Sequence, residues 1–248
     1  MKTQTANKKE LFHQHYKKFA SSYDMLRDNR SEITRMNAID QVEYVLKCFD
    51  GIEEIVEVGC GTGKFTIPLA QAGKKVLAID YSDEMLEIVR KKAIEYGIDK
   101  NIELKNGDIE NLDIPSNSYK AVLSIAVARH FENQNKAIFE LSRILEKSGV
   151  LVIDYLSSFY FKPYDWLKNN IAKRDSIKGL EWFPNYYQSY KTMSKMLYSN
   201  KLKIINKKGF VLLPTNITEK LHLAKPVKYI ERKFGLGGVV FVTARKEN

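Results

Sequence analysis

Three glycines at alternate positions, Gly59, Gly61 and Gly63, interrupt the run EIVEVGCGTGKFTIPLAQAGKKVLAIDYS, and Asp80 follows seventeen residues after the last of them. EEIVEV (53–58) and KVLAID (75–80) are short apolar runs, and KFTIPLAQAG between them shows helical spacing. The unit therefore reads strand, glycine turn, helix, strand, and a crossover of that kind joins parallel strands with right-handed sense. Glycine tolerates positive φ and carries no side chain. Such a turn lets a ligand approach the backbone closely near the N-terminus of the helix.

The same alternation continues through IELKNGD (102–108), KAVLSIA (120–126) and GVLVIDYL (149–156), which read as strands. SDEMLEIVRKKAIEYG and NQNKAIFELSRILEKSG read as helices that open on cap-like residues and, like the first, close on glycine. Near-continuous apolar strands point to a parallel sheet covered on both faces. Upstream, residues 7–49 read as two helices, with Tyr16, Phe19, Ala20 and Tyr23 on one apolar face. Downstream, residues 156–200 are rich in aromatics, Tyr160, Tyr164, Trp166, Trp182, Phe183 and Tyr186 among them. KLKIINKKGFVLLP, a helix at 217–234 and GGVVFVTARK then supply two more strands. A chain of 248 residues with 44% apolar content is read as one α/β domain.

Charge is uneven. Residues 155–248 carry 18 Lys and Arg against 6 Asp and Glu, so the whole net charge of +10 sits in the last third. That excess suits an anionic partner, and equally a solvated surface in a lysine-rich chain. Two cysteines, Cys48 and Cys60, exclude a disulfide framework or a cysteine zinc site. His13, His15, His130 and His222 show no metal-ligand spacing, so no metal is expected. The polar start MKTQTANKKE and the lack of any long apolar run lead to the expectation of a cytoplasmic protein with no membrane span.

The glycine loop by itself fits several cofactors. A phosphate-binding P-loop needs four residues between its glycines and Ser or Thr after the lysine, whereas Phe65 follows Lys64 here. The dinucleotide fingerprint needs glycine where Lys64 stands, although Asp80 suits a ribose under either reading. With its neighbouring motifs, the chain resembles the class I S-adenosylmethionine-dependent methyltransferases. Glu57, Gly59, Gly61 and Gly63 match the acidic-x-G-x-G-x-G motif and Asp80 the acid of the second motif. NGDIENL matches the third motif, KAVLSIAVARHF the fourth, and LSRILEKSGVLVIDY the helix and strand that follow, with Ser148 where glycine is common. HYKKFASSYD resembles the lid of the subgroup related to ubiquinone and menaquinone biosynthesis methyltransferases.

The resemblance implies S-adenosyl-L-methionine as cofactor and a doubly wound, mostly parallel, Rossmann-like sheet of seven strands in the order 3-2-1-4-5-7-6. It divides the domain into a helical lid (1–50), a cofactor-binding core (51–156), a substrate-capping insertion after strand 5 (157–200) and C-terminal strands (201–248). Asp80 would hold the ribose hydroxyls, Asp108 the adenine amino group and Ile109 an adenine edge through its backbone. Cys60, Tyr81 and Ile125 join Glu57 and the three glycines in the expected cofactor-binding set, and Tyr23 would meet the carboxylate or sulfonium end. His130 is the candidate general base. Arg129 would hold an anionic substrate group or stand in solvent, and Tyr160 and Tyr186 are candidate substrate contacts. The expected activity is methyl transfer to oxygen, nitrogen or carbon of a small, optionally anionic, metabolite. RNA methylation and a non-catalytic cofactor-binding or interaction protein are the alternatives.

Overall fold

The computed structural model describes residues 24, 28, 31–167, 186–210, 224–234 and 237–247. The stripe Tyr16, Phe19, Ala20 and Tyr23, the histidines His13, His15 and His222, and Trp182 and Phe183 lie outside these residues. In chain order the elements are α1 (Glu32–Cys48), β1 (Glu54–Val58), α2 (Thr66–Gln71), β2 (Lys75–Asp80), α3 (Asp83–Glu95), β3 (Ile102–Asn106), β4 (Tyr119–Ser124) and α4 (Gln134–Ile144). β5 (Leu145–Ser157), α5 (Ser158–Leu167), β6 (Tyr187–Gln188), α6 (Tyr190–Ser199), β7 (Leu202–Phe210), α7 (Ala224–Phe234) and β8 (Val239–Lys246) complete them.

The sheet runs β3-β2-β1-β4-β5-β8-β7, with only β8 antiparallel to its neighbours. This is the expected order, once the two-residue β6, which pairs with the end of β5, is counted separately. Apolar side chains of the inner strands alternate between two cores. Val56, Val58, Val122, Leu151 and Ile153 face one, and Ile55, Ala78, Leu123, Val152 and Phe241 the other, which is why these strands read as near-continuous apolar runs.

The helix read from NQNKAIFELSRILEKSG, α4, stops earlier than its closing glycine suggests. β5 starts at Leu145, and Ser148 adopts φ +62. Pairing with β4 slips from Tyr119↔Leu145 to Ala121↔Val150, a bulge that absorbs the extra residues. Gly149 next to it has no room for a side chain, because a Cβ there would lie 2.9 Å from the Glu146 carbonyl oxygen.

Several lysines of the basic last third make contacts within the chain, Lys228 in the interior and Lys207 on the surface. Lys246 donates to Asn117 Oδ1 and to the carbonyls of Ser142 and Leu145 at 2.6–2.9 Å, closing the C-terminal end of α4. Lys228, 1% exposed, lies between Asn37 and Asp40 of α1 and Glu231 of its own helix, tying α7 to α1. Lys207 sits 4.3 Å from the Tyr190 ring centroid. Among the described residues no helix is long and apolar enough to cross a membrane.

An aromatic cluster ties the C-terminal strands to α1. Phe241 of β8, fully buried, meets Phe210 of β7 at 4.8 Å, Tyr44 of α1 at 6.1 Å and Phe65 at 6.2 Å, all edge to face. Phe241→Ala should destabilise the protein by about 3–5 kcal/mol, read from denaturant melts; a loss under about 1 kcal/mol would show that the cluster is not a shared core. A second hub is Arg143, which donates to both Glu140 oxygens and to the carbonyls of Leu112 and Ile114. Hydrogen bonding from Arg143 holds the Glu140 carboxyl below its ordinary 4.5, so this group stabilises the fold above that pH and the contribution is lost as the pH falls through the lowered value. Glu140→Gln should therefore flatten the acid limb of the stability curve below about pH 4.5, measured by thermal melts across that range.

Candidate functional site

The loop between β1 and α2 is hung from the end of β2. The Gly59 and Cys60 amides both donate to the Ile79 carbonyl, at 2.7 and 3.0 Å, and the Gly61 amide donates to Asp80 Oδ2 at 2.7 Å. Asp80 Oδ1 accepts from the Ser82 amide at 3.0 Å. Gly59, Gly61 and Gly63 adopt φ +79, +54 and +86, a region that other residues reach only with strain. At Gly59 there is also no space, since a Cβ would stand 2.0 Å from Val127 Cγ2. Glu57, 2% exposed, accepts from Thr66 Oγ1 and so fixes the start of α2. The motif's acid thus acts within the described structure as an anchor for the helix behind the loop.

Burial pushes the Asp80 carboxyl up from its ordinary range, opposed by the amides of Ser82, Gly61 and Tyr81. Cys60 turns its side chain into the core at 3% exposure, where burial raises the thiol well above its usual value. Its Sγ also reaches the Gly61 carbonyl of the loop at 3.7 Å. Tyr81 is exposed beside Asp80. Asp108 begins the turn after β3, with Oδ1 accepting from the Glu110 amide at 3.0 Å, and the Ile109 side chain is buried in the core. Ile125 is half-buried at the end of β4. Glu57, the three glycines, Asp80, Asp108 and Ile109 are thus gathered at the carboxyl ends of β1, β2 and β3, where open α/β sheets bind their ligands. Tyr23 lies outside the described residues.

A second loop leaves β4. Ala126 takes φ +65, and its amide donates to Asp154 Oδ1 at 2.7 Å. Arg129 Nη1 reaches Asp154 Oδ2 at 3.2 Å. The Arg129 charge is therefore answered by a carboxylate only 1% exposed. Burial raises the Asp154 carboxyl, with the Arg129 charge working against it. The sequence reading missed Asp154, although a lone acid inside the apolar run VLVIDYL was the available signal.

The returning insertion docks on this loop. The Tyr186 amide donates to the Arg129 carbonyl at 2.9 Å, and Gln134 Nε2 donates to the Tyr186 carbonyl at 3.2 Å. Tyr160 packs edge to face on Phe161, which stacks on Tyr187 at 5.2 Å. His130 ends a short 3₁₀ turn, Ala128–His130, with its side chain half-buried. Among the described residues Ser124 Oγ, Arg129 Nε and Gln134 Oε1 are buried with no hydrogen-bond partner, all between the end of β4 and the start of α4. Buried polar atoms are ordinarily paired, so these three are exceptions within one stretch of chain. Among the described residues no group of three or more His, Cys, Asp or Glu is arranged to hold a metal.

Comparison with known proteins agrees with this fold. Residues 56–153 match the methyltransferase domain family. The chain is 23% identical over 185 residues to a ubiquinone biosynthesis O-methyltransferase of Bartonella bacilliformis, covering 72% of this chain and 71% of that protein. It is 27% identical over 205 residues to a demethylmenaquinone methyltransferase of Staphylococcus epidermidis, covering 70% and 83%. The fold superposes on the magnesium protoporphyrin IX methyltransferase of Synechocystis PCC 6803, solved with bound SAH, with a TM-score of 0.70 and 17% identity over 96% of this chain and 100% of that one. Residues 56–153 thus carry a methyltransferase domain, and over most of its length the chain resembles the class I S-adenosylmethionine-dependent methyltransferases of ubiquinone and menaquinone biosynthesis.

Proposed function

We propose that the protein methylates an oxygen, nitrogen or carbon atom of a small, uncharged polar acceptor seated at the carboxyl ends of β4 and β5. The observation that carries the donor half of this reading is the Gly61–Asp80 contact within a loop of three positive-φ glycines. A carboxylate offers about four acceptor positions, so beyond the amides of Gly61, Ser82 and Tyr81 Asp80 keeps capacity for a ribose hydroxyl. Asp108 and the Ile109 backbone suit the adenine edge, and Tyr23 is assigned to the methionine end. This donor set fits S-adenosylmethionine, which when bound supplies a methyl group on a positively charged sulfur and so a carbon already open to displacement.

The work left to the chain is to align the acceptor, exclude water and take a proton where the acceptor atom bears one. His130, whose side-chain class titrates near neutrality, is assigned the proton. Arg129 Nε supplies a donor, and Ser124 Oγ and Gln134 Oε1 supply acceptors, for a polar acceptor group. The neutralisation of Arg129 by Asp154 favours an uncharged group over an anion. Tyr160 and Tyr186, on the returning insertion, are assigned to the wall of the acceptor pocket. The relatives named for ubiquinone and demethylmenaquinone support a small-molecule acceptor. The contacts made by Lys228 and Lys246 inside the fold weaken the case for RNA.

Calorimetric titration should give binding of S-adenosylmethionine and S-adenosylhomocysteine and none of NAD; binding of NAD alone would overturn the donor reading. Asp80→Ala should weaken binding of either adenosyl ligand by about 10- to 100-fold, since a buried diol loses a charged acceptor. An affinity equal to wild type would remove Asp80 from the ribose. On an acceptor found by radiolabel transfer in extracts, His130→Ala should lower turnover by about 10²-fold or more with donor affinity within about twofold. Full turnover would take the proton-accepting role away from His130.

A further inference from the structure

The glycine loop is held from a second side. Asp24 and Asp28 stand one turn apart ahead of α1, the Asp28 amide donating to the Asp24 carbonyl at 2.9 Å. One oxygen of Asp24 accepts from Thr62 Oγ1 and the other from Lys92 Nζ of α3, while Lys92 also donates to the Thr62 carbonyl at 2.8 Å. Asp28 accepts from Lys64 Nζ at 2.8 Å, and Lys64 donates in addition to Gln41 Oε1 of α1 at 2.8 Å. Thr62 is fully buried. The Lys64–Asp28 side chains are 12% and 16% exposed and those of Lys92 and Asp24 28% and 38%, so both pairs are partly shielded from solvent. Charge-assisted bonds in such surroundings hold better than fully exposed ion pairs.

Consecutive loop residues are thus gripped from opposite directions. Asp80 takes the Gly61 amide from the β2 side, and Asp24 and Asp28 take Thr62 and Lys64 from the N-terminal side. We propose that Asp24 and Asp28 are positioning residues for the donor loop: through Thr62, Lys92 and Lys64 they keep it in its ligand-ready shape and set how slowly a bound donor or its demethylated product leaves. This rests on the reading of the loop as the donor site.

Stopped-flow release of S-adenosylhomocysteine from the full chain tests the proposal, using Asp24→Asn, Lys92→Gln and the double variant. Each single variant should release about tenfold faster with a thermal midpoint close to wild type. The double should be little faster than either single, because both remove the same contact. Added salt should speed release from wild type more than from the double variant. Rates equal to wild type, or increases that multiply in the double, would overturn the proposal. Hydrogen exchange of the amides of residues 59–65 without ligand gives an independent reading: faster exchange in Lys92→Gln supports the clamp, and unchanged exchange overturns it. Should wild type bind neither adenosyl ligand, the donor reading fails while the exchange result still decides the clamp.

Discussion

The organisation of the site depends on one hydrogen bond, from the Gly61 amide to the carboxylate of Asp80. Asp80 ends β2, and its other oxygen takes the Ser82 amide just before α3, where the Ser82 hydroxyl caps the helix by accepting from the Met85 amide. One side chain therefore sets three things together: where the β1 loop turns, where β2 stops and where α3 begins. The strand partners of β1 and β2 are in register from Glu54↔Lys75 to Val58↔Ile79, so the acid is carried to the loop by the sheet itself.

Asp154 repeats this arrangement on the other half of the sheet. Asp80 takes an amide from the loop of the neighbouring strand β1, and Asp154 of β5 takes one from the loop of its neighbour β4. In both cases the residue that donates has positive φ, Gly61 at +54 and Ala126 at +65. Each inner loop hangs from an acid of the next strand outward, the last residue of β2 and a residue three short of the end of β5, on opposite sides of the point where the strand order reverses. The two acids differ in their cation. Arg129 pairs directly with Asp154, whereas Asp80 is held by backbone amides alone among the contacts described. That difference leaves the β2 acid open to hydroxyl groups and the β5 acid committed to holding its own loop.

Much of this was legible in the sequence. The strands, the glycine turn and Asp80 follow from local patterns: apolar periodicity, a residue type that tolerates positive φ, and an acid at a strand end. The strand order followed from the family resemblance. What was not legible depends on contacts between distant positions. Arg129 read as an open cation because its partner lies 25 residues on, inside an apolar run that looks like core. The basic last third read as a surface property, whereas Lys228 is buried against residues about 190 positions earlier. Glu57 read as a residue of the cofactor loop, and the sequence did not tell that it also accepts from Thr66 of the next helix. Cys60 sits in the motif, yet nothing in the spacing tells which side chain turns inward.

The sheet order carries a consequence for how the chain is made. β7 precedes β8 in the chain, yet β8 lies between β5 and β7 and contributes the aromatic ring against which α1, Phe65 and β7 pack. During synthesis β7 emerges with no neighbour to receive it, and the edge of β5 stays open until β8 follows. The glycine loop and Asp80 are complete on the nascent chain well before the sheet behind them can close. A ribosome pausing between β7 and β8 would expose an unpaired apolar strand edge, the kind of surface that chaperones hold and that invites pairing with other chains.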